Sequence, residues 1–209
     1  MERAKGHNLQ AYSVMRKFVL HNSRLGKDAV LTARLSYTKG QGKSFEIVDA
    51  QGAQGISRKV IERVLQAEVE ASAADGHEEG SITTDHYDFE LLGTASANGR
   101  PCYLLELRPK KKSKFLIQGK AWVDAQEYGL VKLEGRPSAS LSMWVGKPFI
   151  SQEFQKYGEF WMASRNSSRS ESRFLGNSQL TIEFTGYELR GAEGASVAMR
   201  TAKRSAALE

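Results

Sequence analysis

Apolar and polar residues alternate along much of this chain, and the alternation is densest between residues 101 and 137 (PCYLLELRPKKKSKFLIQGKAWVDAQEYGLVKLEGRP). Three runs there read as strands: 102–108, 115–124 and 130–134. Leu105 and Leu107 alternate with Glu106 and Arg108, and Val131 and Leu133 with Lys132 and Glu134. A period of two marks a strand with one buried face. Links this short join antiparallel neighbours, so the stretch is a meander.

The same pattern recurs on both sides. Residues 11–22 set Tyr12, Val14, Arg16, Phe18 and Leu20 against Ser13, Met15, Lys17 and Val19, a strand with the first set buried; a helix is the runner-up, because Val14 and Phe18 also fit its spacing. Residues 29–38 and 43–49 follow as strands around the turn Lys39-Gly40-Gln41-Gly42, and the three form an N-terminal meander. The period then changes. Val60, Ile61, Val64, Leu65 and Val69 make one apolar stripe on a helix over 57–74, with Ser57 as its N-cap and Asp75-Gly76 as its stop. Tyr87, Phe89 and Leu91 begin another strand, and Asn98-Gly99 is a hairpin signal. Residues 138–142 are small and polar, and 144–150, with Gly146 and Pro148, read as irregular. Strands follow over 151–157, 160–174 and 179–187. Ser and Arg alternate late in the second of these, which makes at least one of its faces wet.

Nine or ten strands and one helix predict a mainly β (α+β) domain over residues 1–189. Its curved antiparallel sheet closes into a barrel or stays unclosed as a half-barrel, with helix 57–74 over the concave face. Residues 190–209, rich in Gly, Ala, Ser and Lys, read as a frayed tail, and Leu208-Glu209 as residues added in cloning. The 209 residues, 40% of them hydrophobic, can bury a substantial core and are not those of a disordered chain. There is no run of 18 apolar residues, and the N-terminus has no apolar signal-peptide core.

Chemistry is sparse. His7, His21, His77 and His86 show no metal-ligand spacing, and no metal or other cofactor is expected. The lone Cys102 excludes an intrachain disulfide and reads as a buried structural thiol. Asp85, Asp88 and Glu90 fit an outer strand face as well as a catalytic pair. No phosphate loop or nucleophile elbow is present, so the chain does not read as an enzyme. The net charge of +6 favours anionic surfaces. Its densest run, Lys110, Lys111, Lys112 and Lys114, suits an anionic membrane surface, or equally a hairpin tip kept soluble and unpaired by lysines. Nucleic acid is not expected, because only Phe115 accompanies the basic residues. Trp122, Trp144 and Trp161, with Phe149, Phe154 and Phe160, fit the wall of an apolar cavity as well as ordinary core.

YLLELRPKKKSKF, then GKAWVDAQEYGLVKLEG, then Gly-Glu-Phe-Trp-Met at a turn, then LTIEFTGYEL resembles the bacterial outer-membrane lipoprotein-sorting carriers, the LolA/LolB-like superfamily. The resemblance covers residues 43–189. The family's aromatic turn continues into Pro, whereas Ala163 stands here. The resemblance implies an unclosed β-barrel, a periplasmic or envelope location, and acyl chains of a lipid or lipoprotein as partners. On that reading the cavity is lined by Val60, Ile61, Val64, Leu65, Phe89, Leu105, Leu107, Trp122, Leu133, Trp144, Phe154 and Trp161. The alternative is a non-enzymatic structural or interaction module of the envelope, with a filled barrel and the lysine loop as its docking element.

Overall fold

The computed structural model describes residues 9–24, 28–50, 55–72, 81–140, 147–172, 176–191 and 196–199. The elements among them are β1 (Leu9–Asn22), β2 (Ala29–Thr38), β3 (Gly42–Asp49), α1 (Ile56–Ser72), β4 (Tyr87–Ala97), β5 (Arg100–Pro109), β6 (Ile117–Asp124), β7 (Leu130–Pro137), β8 (Phe149–Tyr157), β9 (Phe160–Ser172), β10 (Gly176–Gly191) and β11 (Ser196–Met199). The strands form one antiparallel sheet in the order β3-β2-β1-β10-β9-β8-β7-β6-β5-β4, and β11 pairs with the end of β10. All neighbours on that path except β1 and β10 are also consecutive in sequence. Two meanders are therefore zipped together by β1–β10, and the sheet stays unclosed, with β3 and β4 at its edges.

The strand alternative for residues 11–22 is the one that forms, with Val14, Phe18 and Leu20 buried. Two expectations change. β8 begins at Phe149, inside the stretch expected to be irregular, because Phe149 and Ile150 pair with Arg169 and Ser168 of β9. Ser196–Met199, expected to be frayed, adds a strand along β10 where β9 no longer pairs.

Directly paired residues project to the same face, so the register can be followed across the sheet. One row runs Leu31–Phe18–Ile182–Asn166–Gln152–Leu133–Ala121–Leu105–Leu91. The next on that face runs Leu20–Leu180–Ser168–Ile150–Gly135–Gly119–Leu107–Phe89. α1 packs on this inner face over β1–β3, where Ile61 and Leu65 join Val14, Phe18, Leu31 and Leu35 in the largest core cluster. The opposite face carries Lys17–Glu183–Arg165–Glu153–Lys132, a row whose charge alternates from strand to strand. Such cross-strand pairs stabilise a sheet by roughly 0.2–1 kcal/mol each and need no second layer. The inner face is built mainly for burial; the opposite face is charged along this row and holds a smaller buried cluster at Ala97, Cys102 and Val131.

Two local devices shape the β5–β7 region. Gly119 and Gly135 are cross-strand partners at a close backbone approach: a Cβ on Gly119 would lie 2.0 Å from the Glu134 carbonyl oxygen. No larger residue fits without moving β6 from β7. The β6–β7 turn is organised by Asp124, whose buried carboxylate accepts hydrogen bonds from the Gln126 N–H (2.9 Å), the Glu127 N–H (2.8 Å) and Arg100 Nη1 (2.9 Å). Burial pushes the Asp124 carboxyl up, but the Glu127 N–H, Arg100 and the Gln126 N–H outweigh it and hold it below its ordinary value. This accounts physically for the aspartate of the Trp-Val-Asp stretch ahead of the turn.

Candidate functional site

The apolar residues of the inner face fall into two patches. Under α1 the patch is sealed: Phe18, Leu31, Leu35, Ile61 and Leu65 are fully buried. Over β4–β7 a second cluster gathers Tyr87, Leu107, Leu116, Ala121 and Leu133, with Leu130 and Phe154 packed against it. Its margin is open. Leu91 is 61% exposed, and Phe89 is 37% exposed beside its partner Leu107. Between the patches the rows turn polar at Asn166, Gln152 and Ser168. The wet strand face expected for β9 is in part this inner face, since Ser168 and Ser170 lie half-buried there while Arg169 and Glu171 are exposed on the other.

The cavity residues expected from sequence are thus not brought together. Ile61 and Leu65 lie in the first patch; Leu107 and Leu133 lie in the second, with Phe154 against it and Phe89 and Leu105 in its rows. Val64 is half-buried. Trp122 is a correction: it pairs with Leu104 and Lys132 on the opposite face, with Lys132 Nζ 5.1 Å from its ring. The reason is strand alternation, since Ala121 takes the inward position. Trp161 packs with Trp122 against Ala97, Cys102 and Val131. Trp144 and the Val60 side chain lie outside the described residues.

Missed from sequence was a charged cluster inside the first patch. Arg16, 5% exposed, donates to Glu68 of α1 through Nη1 (2.5 Å) and Nη2 (3.0 Å), and Lys43 Nζ of β3 donates to the same carboxylate (2.6 Å). Burial alone would raise the Glu68 pKa; Arg16 and Lys43 outweigh it and hold it down to about 2. The guanidinium also lies 4.6 Å from the Phe184 ring centre, and its Nε is buried with no hydrogen-bond partner among the described residues. The rings of Tyr37, Tyr12, Tyr187 and Tyr157 follow one another at 5.3, 6.2 and 4.8 Å. Burial raises the pKa of Tyr187, Tyr157 and Tyr12, so these phenols are neutral. Two sequence signals pointed here: an arginine within the apolar set of β1, and a glutamate at helical spacing from Ile61 and Leu65.

A cavity of about 450 Å³ opens where α1 meets β3, with Phe45 and Ile47 as floor and Lys59, Glu62, Arg63 and Gln66 around it. It lies at the polar side of the helix, away from the β4–β7 patch. Lys110, Lys111, Lys112 and Lys114 are exposed on a loop anchored by Ser138, whose Oγ accepts from the Ser113 N–H (2.8 Å). Lys110 also donates to the Thr84 carbonyl oxygen (2.7 Å). Asp88 lies 3.7 Å from Lys110, and Glu90 pairs with Arg108, so these carboxylates belong to cross-strand ion pairs. Cys102 is buried, and burial raises its pKa, which keeps the thiol protonated. Among the described residues, no three His, Cys, Asp or Glu side chains converge as metal ligands, and no helix is long and apolar enough to cross a membrane.

An open antiparallel half-barrel with a helix on its inner face is the fold of the LolA superfamily, and this chain has it. A LolA superfamily protein from Nitrosomonas europaea aligns with a TM-score of 0.50 at 14% identity, over 87% of each chain. A putative outer membrane lipoprotein-sorting protein domain from Vibrio parahaemolyticus aligns at 0.45 and 12% identity, over 90% of this chain and 87% of that one. A DUF1329 family protein from Desulfovibrio piger aligns at 0.40 and 12%, over 87% and 86%. The shared fold rests on the first. No family model and no curated protein matches the sequence.

Proposed function

We propose that this chain is a non-enzymatic carrier of the bacterial periplasm or envelope that holds acyl chains of a lipid or lipoprotein against the inner face of its half-barrel. The observation that carries the reading is the open apolar patch over β4–β7, where Leu91 is 61% exposed and Phe89 37% exposed in rows shared with the core. Leaving apolar surface wet costs about 25 cal/mol per Å². An acyl chain laid on it gains about 0.8 kcal/mol per buried CH₂, so binding needs no polar chemistry. Phe89 and Leu91, with half-buried Leu105 and Phe154, form the proposed contact surface over buried Leu107 and Leu133, and the LolA-superfamily fold supports the class of cargo. The exposed lysine loop supports contact with an anionic membrane surface during loading or delivery.

Mass spectrometry of lipids extracted from the purified protein tests the proposal. Retained acyl lipid, lost in Leu91→Asp while the melting temperature holds, is the expected result. A protein that retains no lipid, and binds no added fatty alcohol, contradicts it. A second reading, an envelope interaction module with a filled interior and a basic docking loop, draws on the sealed patch under α1. It predicts binding that depends on the lysines and not on Leu91.

A further inference from the structure

We propose that the groove between α1 and the edge strand β3 binds an extended acidic segment of a partner protein, which joins the sheet as a strand alongside β3. The groove lies apart from the β4–β7 patch and does not depend on that patch being used. β3 ends the sheet, and among the described strands it pairs only with β2. Its other side therefore offers backbone N–H and C=O groups to an added strand. Pairing with β2 runs unbroken from Gly42 to Ile47, and the register shifts only at Val48. Beside this regular stretch the cavity of about 450 Å³ takes its floor from Phe45 and Ile47 and its rim from Lys59, Glu62, Arg63 and Gln66. That volume is in the range of ligand pockets, and its apolar floor suits a side chain of the added strand.

Charge on the rim selects the partner. Arg58 is paired with Glu62 (2.7 Å), and Lys43 with Glu68 (2.6 Å). Lys59 and Arg63 are exposed on the rim and make no ion pair among the described residues. With the Glu62 carboxylate neutralised by Arg58, the rim carries an excess of two positive charges. The two cations are four residues apart on α1, about 6 Å along its axis at 1.5 Å per residue. Same-side residues of a strand are about 7 Å apart. The helix also follows the strand: Lys59 to Gln66 stand over Phe45 and Ile47, and two residues on Glu68 reaches Lys43. Carboxylates two residues apart on an added strand therefore match Lys59 and Arg63, with charge-assisted hydrogen bonds as the gain. The opposite edge is unsuited to the same partner, because β4 exposes Asp88 and Glu90 and is broken by a register shift between Leu91 and Gly93.

The test uses the full chain and the capped peptide acetyl-Val-Thr-Glu-Thr-Glu-Thr-Val-amide, whose alternation sets both glutamates and both valines on one side. Equilibrium binding and hydrogen exchange of the strand amides are read together. The peptide is expected to bind and to slow exchange in β3 while leaving β4 unchanged. Replacing its glutamates with glutamine should weaken binding about tenfold, and so should Lys59→Gln combined with Arg63→Gln in the protein, two exposed substitutions that leave the core intact. Two N-methylated versions probe the backbone, one methylated on the threonines and one on the glutamates and valines. Only one set of N–H groups faces β3, so one version should lose binding and the other keep it. Leu91→Asp should change none of this. No binding at millimolar peptide, equal binding of the glutamine peptide, or protection gained at β4 in place of β3 each overturn the proposal. Equal binding of both methylated versions does so too, because the occupant then ignores the strand edge. Benzoate should neither displace the peptide nor protect β3; if it does both, the groove takes a small acid and the partner strand is refuted.

Discussion

Leu65 and Leu91 lie over the same face of one sheet, yet Leu65 is fully buried and Leu91 is 61% exposed. The difference comes from where the single described helix packs. α1 follows β3 in sequence and covers the N-terminal meander, filling it with Ile61 and Leu65 and locking it with Glu68. The C-terminal meander has the same alternating strands and the same aliphatic inner rows without that cover, and a belt of Asn166, Gln152 and Ser168 divides the two. One end of the face is a finished core. The other is buried at Leu107, Ala121 and Leu133 and open along its edge strand at Phe89 and Leu91, which leaves an apolar margin for the proposed acyl chain.

The contrast is sharpest in substitutions of the two leucines. Leu65→Asp places a carboxylate among Phe18, Leu31 and Leu35, so α1 should detach: the melting temperature falls by ten degrees or more, on the order of 3–5 kcal/mol, and apolar dye binding rises. Leu65→Ala, which leaves a cavity, should cost about 2–5 kcal/mol. Leu91→Ala should stay within about 0.5 kcal/mol. Equal losses for Leu65→Ala and Leu91→Ala in chemical denaturation would erase the distinction between the two ends.

Glu68 gives the next effect. Its pKa falls from 4.5 to about 2 on folding. A depressed carboxylate contributes stability that is fully present above its unfolded value and is lost as pH falls through the folded value. At about 1.4 kcal/mol per pH unit this is on the order of 3 kcal/mol, disappearing between pH 4.5 and 2. Glu68→Gln should flatten the acid limb of the stability–pH curve in that window and leave its shape near neutrality. An unaltered acid limb would show that Arg16 and Lys43 do not hold this carboxylate in solution.

Away from the contrast, Asp124→Asn keeps acceptors for the Gln126 and Glu127 N–H groups but loses the charge facing Arg100, and should cost about 1–2 kcal/mol by urea titration. Smallest of all, replacing Lys110, Lys111, Lys112 and Lys114 with Gln should change stability by less than about 0.5 kcal/mol. The same variant should weaken binding to anionic vesicles by up to about 1 kcal/mol per lysine. Undiminished vesicle binding at low salt removes the loop from any membrane role.

Much of the fold was legible because the two backbone periods are local. The alternation of Tyr12–Leu20 and Leu105–Arg108, the stripe of Ile61 and Leu65, and the Asn98-Gly99 turn, where both residues adopt positive φ, are each settled within a few residues. Pairing between distant segments was not. Nothing near β1 announces that it joins β10, so the sequence could not say which meander α1 would cover. The candidate site suffered for the same reason. Ile61 and Leu107 both read correctly as buried, yet they belong to opposite ends of the face. Trp122 was grouped with the other aromatics as a cavity-wall candidate, whereas alternation from Ala121 turns it outward. The Arg16–Glu68 pair was hidden because its partners lie on different elements, although each breaks the apolar pattern of its own.

The open margin of the β4–β7 patch, at Phe89 and Leu91, is where the proposed acyl chain should lie. Photo-cross-linking with a diazirine-bearing fatty alcohol, mapped by peptide mass spectrometry, reads this directly, because the neutral head group removes any pull from the lysine loop or from Arg16. Adducts at Phe89, Leu91 and Leu105 are the predicted result. Adducts confined to Phe45 and Ile47 in the groove beside α1, or none at all, would contradict it.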